Sequence, residues 1–121
     1  MQIIPFKEPA AWTMQINLTR QIFNLSFKWN ALNAYWVMSI FDRNENPVVY
    51  GIKVVTNYDL TAQFVAIGMP LGDIVCQNII DEWNDIARFD MGITNELIYY
   101  EPDELEAQAE EQLVLQRDGD A

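Results

Sequence analysis

Apolar and polar residues alternate along two neighbouring segments near the start of the chain. In residues 12–18 the apolar positions are Trp12, Met14, Ile16 and Leu18, and residues 23–29 alternate in the same way. Side chains of a β-strand point to opposite faces in turn, so the two segments are predicted to pair as an antiparallel hairpin with one buried face and one wet face. A helix is disfavoured, because its period of about 3.6 residues would scatter the four apolar positions around the cylinder.

A second hairpin is predicted over residues 35–55, and we expect the remaining strands to assemble around it. Two runs rich in β-branched and aromatic residues flank a polar turn at residues 42–47, which is the pattern of a hairpin. Pro47 has no N–H to donate and therefore fits the mouth of a strand. The two runs are each expected to present one apolar face, and these faces comprise Trp36, Met38 and Ile40 in the first and Tyr50, Ile52 and Val54 in the second.

Shorter apolar segments predict further strands at residues 2–6, 74–80 and 96–100. The first is expected at a sheet edge, since Pro5 interrupts the backbone donors. Residues 61–67 are compatible with a strand or a helical turn, and we favour the strand. Seven or eight short strands predict an all-β fold, either a small antiparallel barrel or a sandwich. A barrel has the advantage of leaving no open edge.

The length of 121 residues predicts one β domain, residues 1–100, followed by an acidic C-terminal extension, residues 101–121. The extension holds eight acidic residues against one arginine, so it carries most of the net charge of −11. Leu105 and Leu113 lie at helical spacing within it, which predicts a weakly helical or disordered segment. Such a segment either keeps the protein soluble or docks on a neighbouring subunit.

Composition argues against several classes of function. Seven Lys and Arg residues are scattered along an acidic chain, whereas binding to nucleic acid needs clustered cations. The apolar runs fall short of the roughly 20 residues that a membrane-spanning helix needs. With no histidine and one cysteine, Cys76, the chain lacks the usual zinc ligands and the usual general base. We therefore expect neither an enzyme nor a cofactor, and a buried, inert thiol at Cys76.

One loop, residues 81–90, concentrates acidic residues around a tryptophan. Its four carboxylates could bind a hard cation, but their spacing does not match an EF-hand, and a solvated acidic loop is favoured. They are Asp81, Glu82, Asp85 and Asp90. Trp83 is interpreted either as a packed loop anchor or as an interface anchor, a role in which Trp is enriched. The predicted interface residues are Trp83, Asp81, Glu82, Asp85, Leu105 and Leu113.

Several segments together resemble a known family. They are the start at residues 1–6, the hairpin 36–42 with 48–55, the pair 57–60 and 69–74, and Gly92 with residues 96–100. In this order and spacing the chain resembles the cyanophage baseplate plug family, small structural proteins of contractile phage tails. The resemblance covers residues 1–100, and the acidic extension departs from it.

The resemblance implies a structural component of a phage tail baseplate, placed in the virion near the central hub and spike after assembly in the host cytoplasm. It implies partners among the hub, spike and tube proteins, a homo-oligomer around the tail axis, and no catalytic or cofactor-binding residues. The alternative is a carbohydrate- or ligand-binding β domain of a receptor-binding tail part. A third hypothesis is a cell-wall hydrolase that uses the carboxylates of residues 81–90.

Overall fold

The computed structural model describes residues 1–64, 67–80 and 85–104, and these form two four-stranded antiparallel sheets. The sheets do not close into a barrel, so the fold is a sandwich, one of the two predicted architectures. One sheet has the strand order β1-β8-β7-β6 and the other β2-β3-β4-β5. The strands are β1 (Gln2–Ile4), β2 (Ala11–Leu18), β3 (Gln21–Asn30), β4 (Tyr35–Phe41), β5 (Pro47–Lys53), β6 (Tyr58–Asp59), β7 (Asp73–Asn78) and β8 (Asn95–Tyr100).

The first predicted hairpin is confirmed as β2 and β3. Leu18 pairs with Gln21, and the two residues between them, Thr19 and Arg20, have φ angles of 50° and 64°. Two consecutive positive φ angles give the backbone twist that matches two antiparallel strands. The alternating pattern places its apolar side chains between the sheets, where Leu18 and Leu25 are fully buried.

The second predicted hairpin is confirmed as β4 and β5, but one of its predicted inward residues is wrong. Met38 pairs with Ile52 whereas Ile40 pairs with Val49, so β5 contains an extra residue at this point. Gly51, with a φ of 74°, supplies the backbone conformation of this bulge. The bulge reverses the alternation, and Tyr50 points to solvent with 66% of its surface exposed.

The predicted strand at residues 61–67 is also wrong over its described part, residues 61–64 and 67, where turns and a bend stand in place of a strand. The Asp59 carboxylate accepts hydrogen bonds from the N–H groups of Thr61 at 3.1 Å and Ala62 at 3.0 Å. A side-chain acceptor of this kind stabilises a turn, and the backbone groups that it binds are then not available for pairing with a neighbouring strand. Residues 65–66 lie outside the described part of the chain.

An aromatic cluster fills one end of the core. The Phe6 ring, which follows β1, meets the rings of Trp12, Phe27 and Trp36 with centroids 5.0, 5.1 and 4.8 Å away. Trp12 also stacks on Phe27 at 4.5 Å. Phe6 belongs to the connection between the two sheets, so these contacts help to lock the sheets together.

The opposite end of the core is closed by hydrogen bonds to Tyr99, which is fully buried. Its hydroxyl accepts the N–H of Gly72 at 2.8 Å and shares a hydrogen bond of 2.5 Å with the Thr19 hydroxyl. Thr19 belongs to the β2–β3 turn, so this network ties one sheet to the other. The described connections of the sandwich thus gather at two ends. We call them the loop end (residues 5–10, 31–34, 54–57, 79–80 and 85–94) and the acidic end (residues 19–20, 42–46, 60–64, 67–72 and 101–104).

Candidate assembly surface

The loop end exposes several large apolar side chains. Their exposed fractions range from 38% at Val55 to 92% at Leu32. Scattered exposed apolar residues are ordinary in soluble proteins, but a concentration of them marks an interaction site. The exposed apolar residues at this end are Leu32, Val55, Ile79, Ile80, Phe89 and Ile93.

The part of this surface at residues 85–94 is held in place by hydrogen bonds around Asp90. The Asp90 carboxylate accepts the N–H of Ala87 at 2.8 Å, and its carbonyl accepts the N–H groups of Ile93 at 3.0 Å and Thr94 at 2.9 Å. Gly92, with a φ of 87°, donates to the Asn95 carbonyl at 2.7 Å and closes the turn. These bonds stabilise the loop that presents Ile93.

Arg88 connects the same loop to the core and to the first connection. Its guanidinium donates to the Glu8 carbonyl at 2.5 Å and lies over the rings of Trp36, at 4.9 Å, and Phe89, at 4.5 Å. Stacking of this kind is worth about 0.5–1 kcal/mol at an exposed site. Arg88 therefore holds Phe89 in position while 65% of the Phe89 surface stays open to solvent.

Of the residues predicted for the interface, Asp85 is the one within the described ranges 1–64, 67–80 and 85–104. It is exposed at the loop end and lines a groove with Asn33, Lys53 and Ile86. The other predicted interface residues, which remain predictions because they lie outside those ranges, are Asp81, Glu82, Trp83, Leu105 and Leu113.

Sequence reasoning missed most of the apolar residues now seen at the loop end. Ile79 and Ile80 were assigned to a strand, but β7 ends at Asn78, so both lie in the following connection. Leu32 and Phe89 carry a weak signal, since each is a large apolar residue within a segment predicted as a connection. That signal distinguishes them from the apolar residues of the strands.

Charge is distributed unevenly between the two ends. Four of the six Lys and Arg residues in the described part of the chain lie at or beside the loop end, and they are Lys7, Lys28, Lys53 and Arg88. Carboxylates predominate at or beside the acidic end, at Asp42, Glu45, Asp59, Asp73, Glu101, Asp103 and Glu104. Over the described residues, the loop end is therefore the less acidic of the two and the better suited to apolar contact.

Two carboxylates at the acidic end have shifted pKa values. Partial burial raises the pKa of Asp73 to about 6, and a hydrogen bond and the negative charge from Asp59 act in the same direction. The N–H of Asn46 lowers the pKa of Asp42, whose carboxylate accepts it at 2.9 Å and organises the β4–β5 turn. These shifts follow from local packing and turn formation.

Other chemical features of the described residues are limited. Burial raises the pKa of the Cys76 thiol to about 12, and the side chain is fully buried, as predicted for an inert thiol. No group of three or more acidic, His or Cys residues within the described ranges is arranged to hold a metal ion. Nor does any helix among those residues reach the length and apolarity needed to cross a membrane.

Comparison with models of known protein families finds one that matches most of the chain. The family model described as cyanophage baseplate Pam3 plug gp18 matches residues 1–103. The chain belongs to the cyanophage baseplate plug family. The match spans both sheets of the sandwich and confirms the resemblance read from the sequence. No curated protein matches the sequence.

Membership of this family gives the protein a structural role in the baseplate of a phage tail. It also places the protein in the virion, in contact with other baseplate proteins. An exposed apolar surface at one end of a small β-sandwich is consistent with such contacts.

Proposed function

We propose that this baseplate plug subunit contacts its neighbours chiefly through the loop end, and that these neighbours include the central hub, the spike and the tube. The observation that carries the proposal is the group of exposed apolar side chains at that end, including Phe89 and Ile93 at 65% and 67% exposure. Burying a large apolar side chain contributes about 1.5–3 kcal/mol, so a few such residues supply much of the energy of a specific contact.

The connection between β7 and β8 also contains the predicted interface residues Trp83, Asp81, Glu82 and Asp85. In the proposal Trp83 acts as an anchor that fills a pocket of the partner. The carboxylates complement basic groups on the partner, which sets orientation and encounter rate more than affinity. Leu105 and Leu113 in the acidic extension supply a second contact if the extension docks on a neighbour.

Copies of the subunit are proposed to surround the tail axis, as in most homo-oligomers of closed symmetry, after assembly in the host cytoplasm. The protein acts in this proposal without catalysis or cofactor. Its function is to occupy a position in the baseplate until the baseplate rearranges.

A matched pair of substitutions tests the loop end. Phe89 and Tyr50 are aromatic residues of nearly equal exposure, 65% and 66%, but Tyr50 lies on β5, outside the loop end. In a phage whose own copy of the gene is silenced, we expect the wild-type protein and Tyr50→Asp to restore infectious particles. Phe89→Asp is expected to fold, since the ring is 65% exposed, but to fail to restore particles because it places a charge in the contact. Normal incorporation of a folded Phe89→Asp protein would contradict the role of the loop end.

The carbohydrate-binding alternative draws on the same exposed ring, since an open aromatic side chain is a potential sugar platform. A glycan array probed with the purified protein distinguishes the two. Specific glycan binding that Phe89→Ala abolishes, with particle assembly unaffected, favours the alternative. No binding together with failed assembly of Phe89→Asp favours the baseplate contact.

A further inference from the structure

The strand β2 forms an open edge of its sheet. It pairs with β3 on one side, and the strand order places no described strand on the other. Its eight residues contain no charge, no proline and no glycine, and its pairing with β3 runs without a bulge. Natural proteins usually protect an edge of this length, because its unpaired backbone groups are ready to pair with another chain.

The backbone groups that face outward can be identified from the hairpin register. The Trp29 N–H donates to the Ala10 carbonyl at 2.7 Å, so even-numbered residues of β2 form the hydrogen bonds to β3. Odd-numbered residues direct their N–H and C=O groups away from it, since the two types of pair alternate. Within the described part of the chain these outward groups have no hydrogen-bond partner, and they belong to Ala11, Thr13, Gln15 and Asn17.

The other edges of the sandwich are protected in recognised ways. Strand β5 begins with Pro47, contains bulges and ends with Lys53. Strands β1 and β6 have three and two residues, too short to offer a ladder. Among the described strands, β2 is thus the edge suited to pairing.

We propose that β2 pairs antiparallel with β2 of a second copy of this chain, about a twofold axis at Met14, and joins two sheets into one of eight strands. In this register all the outward groups find partners, because Ala11 meets Asn17 and Thr13 meets Gln15, each pair twice. On the inner face Trp12 meets Ile16, and the partly exposed Met14 meets its own copy.

A second copy fits as the occupant because the register about Met14 satisfies the outward groups of both strands at once. The net charge of −11 on each chain opposes association, but β2 is neutral throughout, so pairing at this edge brings no like charges together. A pair of eight-residue strands buries less than the roughly 1,200–2,000 Å² of a standard interface. We therefore expect a weak dimer in solution whose population rises with concentration. This inference goes beyond the proposed baseplate contacts, because it concerns pairing of two copies in solution and does not involve the loop end.

Sedimentation velocity of the full-length protein across the micromolar range tests the pairing. We expect a concentration-dependent dimer for the wild type. Gln15→Lys places two lysines at diagonal positions across the axis, where the strand positions are about 7–8 Å apart. Repulsion between their ammonium groups is expected to weaken the dimer at least about tenfold. Gln63→Lys, the same change at an exposed residue of the acidic end, is the matched control and leaves the dimer intact.

Gln15→Pro provides a second test that does not depend on charge. The proline removes an N–H that points away from β3, so the fold is retained while two of the eight intermolecular hydrogen bonds are lost. Amide exchange at Thr13 should slow as the wild-type concentration rises and stay fast in both variants. A wild type that is monomeric throughout, or a dimer that both variants preserve, overturns the proposal. Neither result affects the baseplate function, which the Phe89 and Tyr50 variants test separately.

Discussion

Replacing Phe6 by alanine removes the ring that three core aromatics share. The ring meets Trp12, Phe27 and Trp36 edge-on at 4.8–5.1 Å. A fully buried Phe→Ala change costs about 3–5 kcal/mol, and each aromatic pair is worth about 0.5–1.5 kcal/mol beyond area burial. Phe6 is only half-buried, so we expect the free energy of unfolding to fall by about 2–4 kcal/mol. For a domain of this size that lowers the Tm by about 8–15 °C.

Urea unfolding followed by tryptophan fluorescence measures this change, since Trp12 and Trp36 report directly on the cluster. Phe89→Ala is the matched control, because that ring is 65% exposed, and surface changes usually stay within about 0.5–1 kcal/mol. A Phe6→Ala protein whose free energy of unfolding lies within about 0.5 kcal/mol of wild type would refute the reasoning. The two sheets would then be held together without this connection.

Three further predictions concern single residues away from that cluster. Ionising the Asp73 carboxyl costs stability, because its pKa in the folded protein, about 6, exceeds the pKa of 3.8 in the unfolded chain. Asp73→Asn should therefore raise the free energy of unfolding by about 1 kcal/mol at pH 8, after allowance for solvent screening. That gain should shrink as the pH falls from 6 to 4, and an equal gain at both extremes of pH would contradict it. Gly72→Ala should lower the free energy of unfolding, measured in urea, by about 3 kcal/mol, because a Cβ there overlaps the Tyr100 carbonyl and lies 2.8 Å from the Tyr99 hydroxyl. Gly51→Ala has open space around the new Cβ but a φ of 74°, and should lower it by only about 1 kcal/mol. The Cys76 thiol, with its pKa near 12, should resist alkylation at pH 8 until urea unfolds the protein, and rapid labelling of the folded protein would show that it is accessible.

The strands with regular alternation were predictable because their pattern is local. Residues of β2 and β3 alternate over seven positions each, and a shift of one residue would expose the whole apolar set. Strand β8 was predicted almost to its bounds, since Pro102 follows it closely. The two-residue strand β6 is too short to leave a pattern in the sequence, and no strand was predicted there.

The wrong predictions share a cause, which is a local backbone event that reverses or ends a pattern. The bulge at Gly51 turns Tyr50 outward although its neighbours suggest an inward position. The Asp59 carboxylate ends pairing before residues 61–64, despite their apolar content. Alternation alone cannot reveal either event.

The candidate surface was only partly predictable for a related reason. The sequence marks residues 81–90 as an irregular loop with a tryptophan, and Asp85 does lie exposed at the loop end. Whether a residue such as Leu32 is buried or exposed depends on which connections meet at one end of the sandwich. That arrangement follows from the pairing of distant strands, β1 with β8 above all.

Cross-linking mass spectrometry on purified particles of the source phage tests the baseplate role most directly. Lys7, Lys28 and Lys53 all lie at or beside the loop end, so a lysine-reactive reagent samples the proposed contact. We expect the protein to be present in the particles, with cross-links from these lysines to the hub and spike proteins. Absence from the particles, with the protein found free in infected cells, would contradict the baseplate role.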